Sequence, residues 1–208
     1  MITSLIKKYI LPKEVDFIAA LNRHADIIKD MTDDLFHCFV QDSSKHCKSL
    51  IDNEQKASKI RDYNMRELLS VFITPINKES IYRVIIELDW IAISIHHLLL
   101  ESKAYNIKMP KDDYEQIISK LRMQSELLSA GFKTLKSSPQ NTAKNTKRVR
   151  DIYNDIVSIY VQKMANVSQI QDDQKRFVYT QMLLQLKDIS KRMRVSANSL
   201  EDIIMKMA

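Results

Sequence analysis

A single glycine, Gly131, stands in a chain of 208 residues, and four prolines, at positions 12, 75, 110 and 139, are the only other strong punctuation. Glycine reaches left-handed backbone without steric cost, so phosphate-cradling loops and nucleophile elbows have almost no material here. Between the prolines run good helix formers with little strand-like alternation, which predicts an all-α fold. The prolines, the polar turn Gln41-Asp42-Ser43-Ser44 and the polar stretch 166–173 delimit six helices, near 13–41, 44–70, 78–104, 111–137, 140–165 and 173–206. The third is the clearest, because Ile81, Val84, Ile85, Leu88, Ile91, Ala92, Ile95, Leu98 and Leu99 recur at spacings of three and four. Asn77 stands where a side-chain oxygen can cap its first turn. That stripe reads as the core of a helical bundle.

The two halves resemble each other. Leu21-Asn-Arg-His-Ala-Asp-Ile-Ile28 matches Leu121-Arg-Met-Gln-Ser-Glu-Leu-Leu128 in the order of its apolar and acidic positions. Ile85 to Ala92 matches Leu183 to Ser190, and Ile-Arg-Asp-Tyr-Asn from Ile60 is echoed less closely by Val-Arg-Asp-Ile-Tyr-Asn from Val149. Three matches in one order favour a single domain, 1–208, built from two related three-helix repeats, about 13–104 and 111–206.

Charge divides unevenly between them. Residues 1–104 hold 14 Lys and Arg against 15 Asp and Glu, and the remainder hold 18 against 11, so the net charge of +6 comes from the second repeat. Lys144, Lys147, Arg148 and Arg150 open the fifth helix, while Lys187, Lys191, Arg192 and Arg194 lie along the sixth. Such runs are most often solvated faces; the functional reading is an anionic partner. No apolar stretch approaches the roughly 20 residues needed to cross a bilayer. The two cysteines, Cys38 and Cys47, fit a reducing compartment and are expected as free structural thiols, although two cysteines do not forbid a disulfide. The expected location is the cytoplasm.

Chemistry-bearing clusters are few. His37-Cys38 and His46-Cys47 contain ligand types zinc accepts, at a spacing that fits no common finger or ribbon. His24 and the pair His96-His97 lie on apolar helices, where a core or boundary role is the ordinary one. No residues are expected to be catalytic, since no serine or cysteine has the motif a nucleophile needs. Ten methionines and eight tyrosines can furnish an adaptable groove but more often fill a core.

At this point a family comes into view. Ile10-Leu-Pro-Lys13 with Phe17, Phe72-Ile-Thr-Pro-Ile-Asn-Lys-Glu-Ser-Ile81, Leu88-Asp89, and Leu186 to Arg192 with Ala197-Asn198 and Glu201 resemble the PhoU-like phosphate-transport regulators, in the divergent branch associated with Pit-type phosphate permeases. The resemblance covers nearly the whole chain in order. It implies an elongated six-helix bundle of two three-helix repeats, and a non-enzymatic regulator that contacts a permease.

The family also carries Asp/Glu-x-x-x-Asp pairs on the second and third helices of each repeat, where residues one turn apart converge on a hard cation. This chain keeps half of the first site, Glu54 opposite Ser58 and Asp89 opposite Ile93. At the second site stand Thr146, Arg150, Lys187 and Lys191, whose cations would repel a metal. No cofactor or metal is therefore expected, with Glu54 and Asp89 as the only weak metal candidates. Arg150, Lys187 and Lys191 become a candidate face for an anion or a partner. The expected partners are a Pit-type permease, by resemblance, and an anionic membrane surface at which the protein would sit peripherally; a homo-oligomer is also open. The competing function is a basic helical scaffold or nucleic-acid-binding module, supported only by the basic runs and an isoelectric point near 9.2, without a recognition-helix motif. A di-metal storage bundle would need Glu-x-x-His pairs, and the sequence has none.

Overall fold

The computed structural model describes residues 15–74, 76–106 and 108–207; the Ile10-Leu-Pro-Lys13 opening and Pro75 lie outside the described residues. Among these residues six long helices follow one another: α1 (Phe17–Val40), α2 (Ser44–Ser70), α3 (Lys78–Tyr105), α4 (Glu115–Thr134), α5 (Pro139–Val167) and α6 (Asp173–Met207). Among the described residues there is no strand.

Local chemistry explains the boundaries. Asp16 starts α1 by accepting from the Ala19 amide at 2.9 Å. Asn77 starts α3 as its sequence position predicts, accepting from the amides of Glu79 and Ser80. Pro139 opens α5, where its missing N–H is not needed. The expected fourth helix is shorter than predicted, because Lys111–Asp113 forms a separate 3-10 turn and Tyr114 leaves helical geometry at φ −130°. The Tyr114 hydroxyl donates to the Phe39 carbonyl at 2.9 Å, a tie that fixes this junction against α1. Without glycine at its turns, the chain places Asp42 and Asn106 in the left-handed region, at φ 53° and 50°. Gly131 lies inside α4 instead. A Cβ there would meet Leu200 Cδ2 at 3.1 Å, so its role is close helix approach.

α1, α2 and α3 pack on one another, as do α4, α5 and α6; the two units join through α1 on α4 and α3 on α6, leaving α2 and α5 outermost. With α1 taken as running upward, the upper end carries the α1–α2, α3–α4 and α5–α6 connections. The lower end carries the start of α1, the other two connections and the end of α6. The α3 stripe from Ile81 to Leu99 is buried, facing Leu21, Ile28 and Leu35 of α1 and Leu186, Ile189 and Met193 of α6 in one continuous core. Hydroxyls stud the seam between the units: Thr32 and Ser125 oxygens lie 2.5 Å apart, Ser129 donates to Asp26 at 2.6 Å, Ser199 to Glu87 at 2.8 Å and Ser80 to Asp202 at 3.3 Å. No helix among the described residues is long and apolar enough to cross a membrane.

Candidate functional site

The inner faces of α2 and α3 hold the first pair of sequence candidates. Antiparallel packing places Glu54 against His96, at 3.9 Å, and two turns away Asp89 against Arg61, at 3.7 Å. Burial pushes the Asp89 carboxyl above its ordinary range; the Arg61 charge opposes that, and the negative charges of Glu54 and Asp62 add to it. Glu54 and Asp89 thus share one electrostatic neighbourhood, but each already has its own cationic or imidazole partner. A hard cation wants converging carboxylates with oxygens to spare. Here the guanidinium of Arg61 supplies the positive charge, and the donor set does not fit a metal. Among the described residues, no three His, Cys, Asp or Glu side chains form a group that could hold one.

Behind Arg61 lies a residue whose situation the sequence did not reveal. His24 of α1 is completely buried, and neither ring nitrogen has a hydrogen-bond partner. Burial, and secondarily the charge of Arg61, pull its pKa down to about 4, so the ring is neutral at pH 7. Asn64, one turn beyond Arg61 on α2, is likewise buried with both side-chain polar atoms unpaired. In the repeat alignment His24 corresponds to Gln124, and there the contrast is sharp. Gln124 donates to the Val149 and Ser190 carbonyls, at 3.0 and 3.2 Å, and accepts from the Ser190 hydroxyl at 2.8 Å.

The second unit holds Arg150, Lys187 and Lys191 apart. Arg150 is bound in a two-pronged ion pair by Glu201. Lys187 sits over the Tyr160 ring, 4.1 Å from its centroid. Glu201 and Lys187 are separated along α6 by about 20 Å of helix rise, so these cations cannot close on a single small ion. Lys191 is exposed and borders a groove of about 300 Å³ with Glu87, Trp90, Asp188 and Arg192, where the Arg192 guanidinium stacks 5.1 Å from the Trp90 centroid. Thr146 is buried and turned back onto the Ala143 carbonyl.

At the upper end the α1–α2 turn corrects one expectation. Cys38 and Cys47 are not free thiols but are joined in a disulfide, with Cα atoms 4.9 Å apart. The antiparallel hairpin brings the third residue from the end of α1 level with the fourth of α2, a register that a spacing of nine alone does not disclose. The histidines beside them also meet, with His37 and His46 ring centroids 4.6 Å apart. His46 is held by Asp34 at 2.8 Å, a carboxylate that also accepts from Ser49 and Asn53. With their sulfurs bonded to each other, the two His-Cys pairs offer no zinc ligand set. The disulfide borders a cavity of about 500 Å³ walled by Phe39, Leu99, Met109, Tyr114 and Met182, with Lys103, Lys108 and Lys111 at its margin.

No family model matches the sequence, and no curated protein sequence matches it. The fold does have counterparts. It superposes on a PhoU-like protein from Shewanella oneidensis MR-1 with a TM-score of 0.77, covering 91% of this chain and 99% of that one at 13% identity. A second protein of that organism, described as a PhoU-like phosphate regulatory protein, gives 0.78 over 92% and 100% of the two chains at 12% identity. PhoU from Pseudomonas aeruginosa gives 0.72 over 92% and 96% at 11% identity. Both chains are covered nearly end to end in each comparison, so the likeness concerns the whole six-helix arrangement and is not confined to a shared helical pair: this chain has the PhoU-like fold.

Proposed function

We propose that the chain is a non-enzymatic regulator of inorganic phosphate transport that acts by contacting a membrane permease, of the Pit type by the resemblance of its sequence motifs. The observation that carries this reading is the whole-chain likeness to PhoU-like proteins.

The basic strip of α5 and α6 is the proposed contact face. Because Arg150, Lys187 and Lys191 are spread along the helices, an extended acidic segment of a partner suits them better than one phosphate ion. The test is a pull-down of the tagged protein from its native membranes, comparing wild type with Lys187→Glu/Lys191→Glu; Arg150 is spared because reversing it would set two acids against each other at Glu201. Recovery of a phosphate permease by the wild type and its loss in the variant are expected. Recovery of nucleic acid alone, released steeply by salt, would replace this reading with the scaffold alternative.

A further inference from the structure

We propose that the lower end of the bundle is a docking surface for an anionic lipid bilayer. The connection between α2 and α3 displays Phe72 at 92% exposure and Ile73 at 76%, beside Leu69 at 80% on the last turn of α2. These are not loose ends of a chain. Val71 and Ile76 on either side are buried, the Lys78 ammonium donates to the Val71 carbonyl at 2.5 Å, and Thr74 donates to the Ile76 carbonyl at 2.6 Å. The backbone is therefore pinned with its apolar side chains held outward. Adjacent large apolar groups held in water mark an interaction surface.

Charge selects the partner. Of the acids at this end, Glu79 pairs with Arg83 at 3.0 Å, Asp202 pairs with Lys206 at 2.8 Å and Asp16 accepts from the Ala19 amide at 2.9 Å, while Glu67 lies beside Arg66 on the last turn of α2. Arg66, Lys136 and Lys144 are exposed and make no ion pair among the described residues. Arg66 flanks the apolar tip on α2, while Lys136 lies in the α4–α5 connection and Lys144 a turn and a half into α5. Lys206 packs against Ser80 at 3.0 Å, which brings the C-terminus of α6 and the exposed Met205 to the same end. Apolar tips that enter the headgroup region, with unpaired cations at the same end of the bundle, match a bilayer bearing anionic lipids. An acidic protein loop would use the cations but leave Phe72 and Ile73 without a partner. The inference deepens the regulator reading by naming what would hold the protein at the membrane; vesicle binding is read without any permease, so either idea can fail while the other stands.

The test is cosedimentation of the full chain with vesicles of phosphatidylcholine alone and of phosphatidylcholine mixed with phosphatidylglycerol. Wild type should bind the mixed vesicles, weakly or not at all the neutral ones, and less as salt rises. Phe72→Ser/Ile73→Ser and Lys136→Glu/Lys144→Glu, both on exposed positions and checked for unchanged helicity, should each weaken binding at least about tenfold. Phe72→Trp should shift its emission to the blue when mixed vesicles are added. Absence of binding at low salt, binding that the tip variant leaves intact, or an unshifted Trp emission would overturn the proposal. So would binding that depends on residues 1–14 while ignoring the tip.

Discussion

Lowering the pH should destabilise this protein through His24. Its folded pKa lies near 4 against an ordinary 6.5, so below pH 6.5 the unfolded chain takes up a proton that the native state refuses. Stability from this one group is complete above 6.5 and falls by about 1.4 kcal/mol per pH unit on the way down. The deficit comes to about 2 kcal/mol at pH 5 and levels off at about 3 kcal/mol below pH 4. His24→Leu removes the titration and two buried unpaired nitrogens together, so at pH 7.5 the variant should be at least as stable as wild type. Urea unfolding followed by helical circular dichroism at pH 7.5 and pH 5.0 gives four free energies. The wild type should lose about 2 kcal/mol more than His24→Leu between the two conditions. The remaining titrating groups are common to both proteins and cancel. Equal losses would refute the argument, showing that the ring either protonates freely in place or is not sealed from water.

The other expectations are more local. Arg61→Met strands the Asp89 carboxylate and should cost about 1–3 kcal/mol at neutral pH; because Asp89 becomes neutral once protonated, the cost should shrink as acid titrates it, measurable in the same urea series. Gln124→Leu leaves the Ser190 hydroxyl and the Val149 carbonyl without their partner and should destabilise by about 1–3 kcal/mol, read as a lower denaturation midpoint at unchanged slope. Reduction of the Cys38–Cys47 bridge, which closes a short loop, should cost about 2–3 kcal/mol on the chain-entropy account, and Cys38→Ser/Cys47→Ser should unfold identically with and without reductant.

The helices were legible in the sequence because they rest on short-range information. The α3 stripe repeats at the helical period, Asn77 sits one residue before the helix it caps, and proline and polar clusters separate the rest. The shortened start of α4 was not legible, since it depends on the Tyr114 hydroxyl finding a carbonyl 75 residues away. The same holds at the sites. The motif placed Glu54 and Asp89 on neighbouring helices, but Arg61 carries no signal in its own sequence neighbourhood and becomes the partner of Asp89 only through antiparallel register. His24 reads as an ordinary histidine on an apolar face until its lack of any hydrogen-bond partner is seen. The alignment with Gln124 was the available clue, a polar residue recurring at one core position in both repeats. The cysteine pair failed for a related reason, because the turn residues of the hairpin set which positions lie level.

The hydroxyl contacts between the two units also act as an index. Thr32 with Ser125, Ser129 with Asp26, Ser199 with Glu87 and Ser80 with Asp202 lie at different heights along two helix pairs. A slip of one unit past the other by a helical turn, about 5.4 Å, would break all four together and set hydroxyls against apolar neighbours. Leucine alone in the seam would allow several nearly equivalent seatings. These small polar teeth favour one, so tilting or twisting of the units at fixed height keeps contacts that sliding would break.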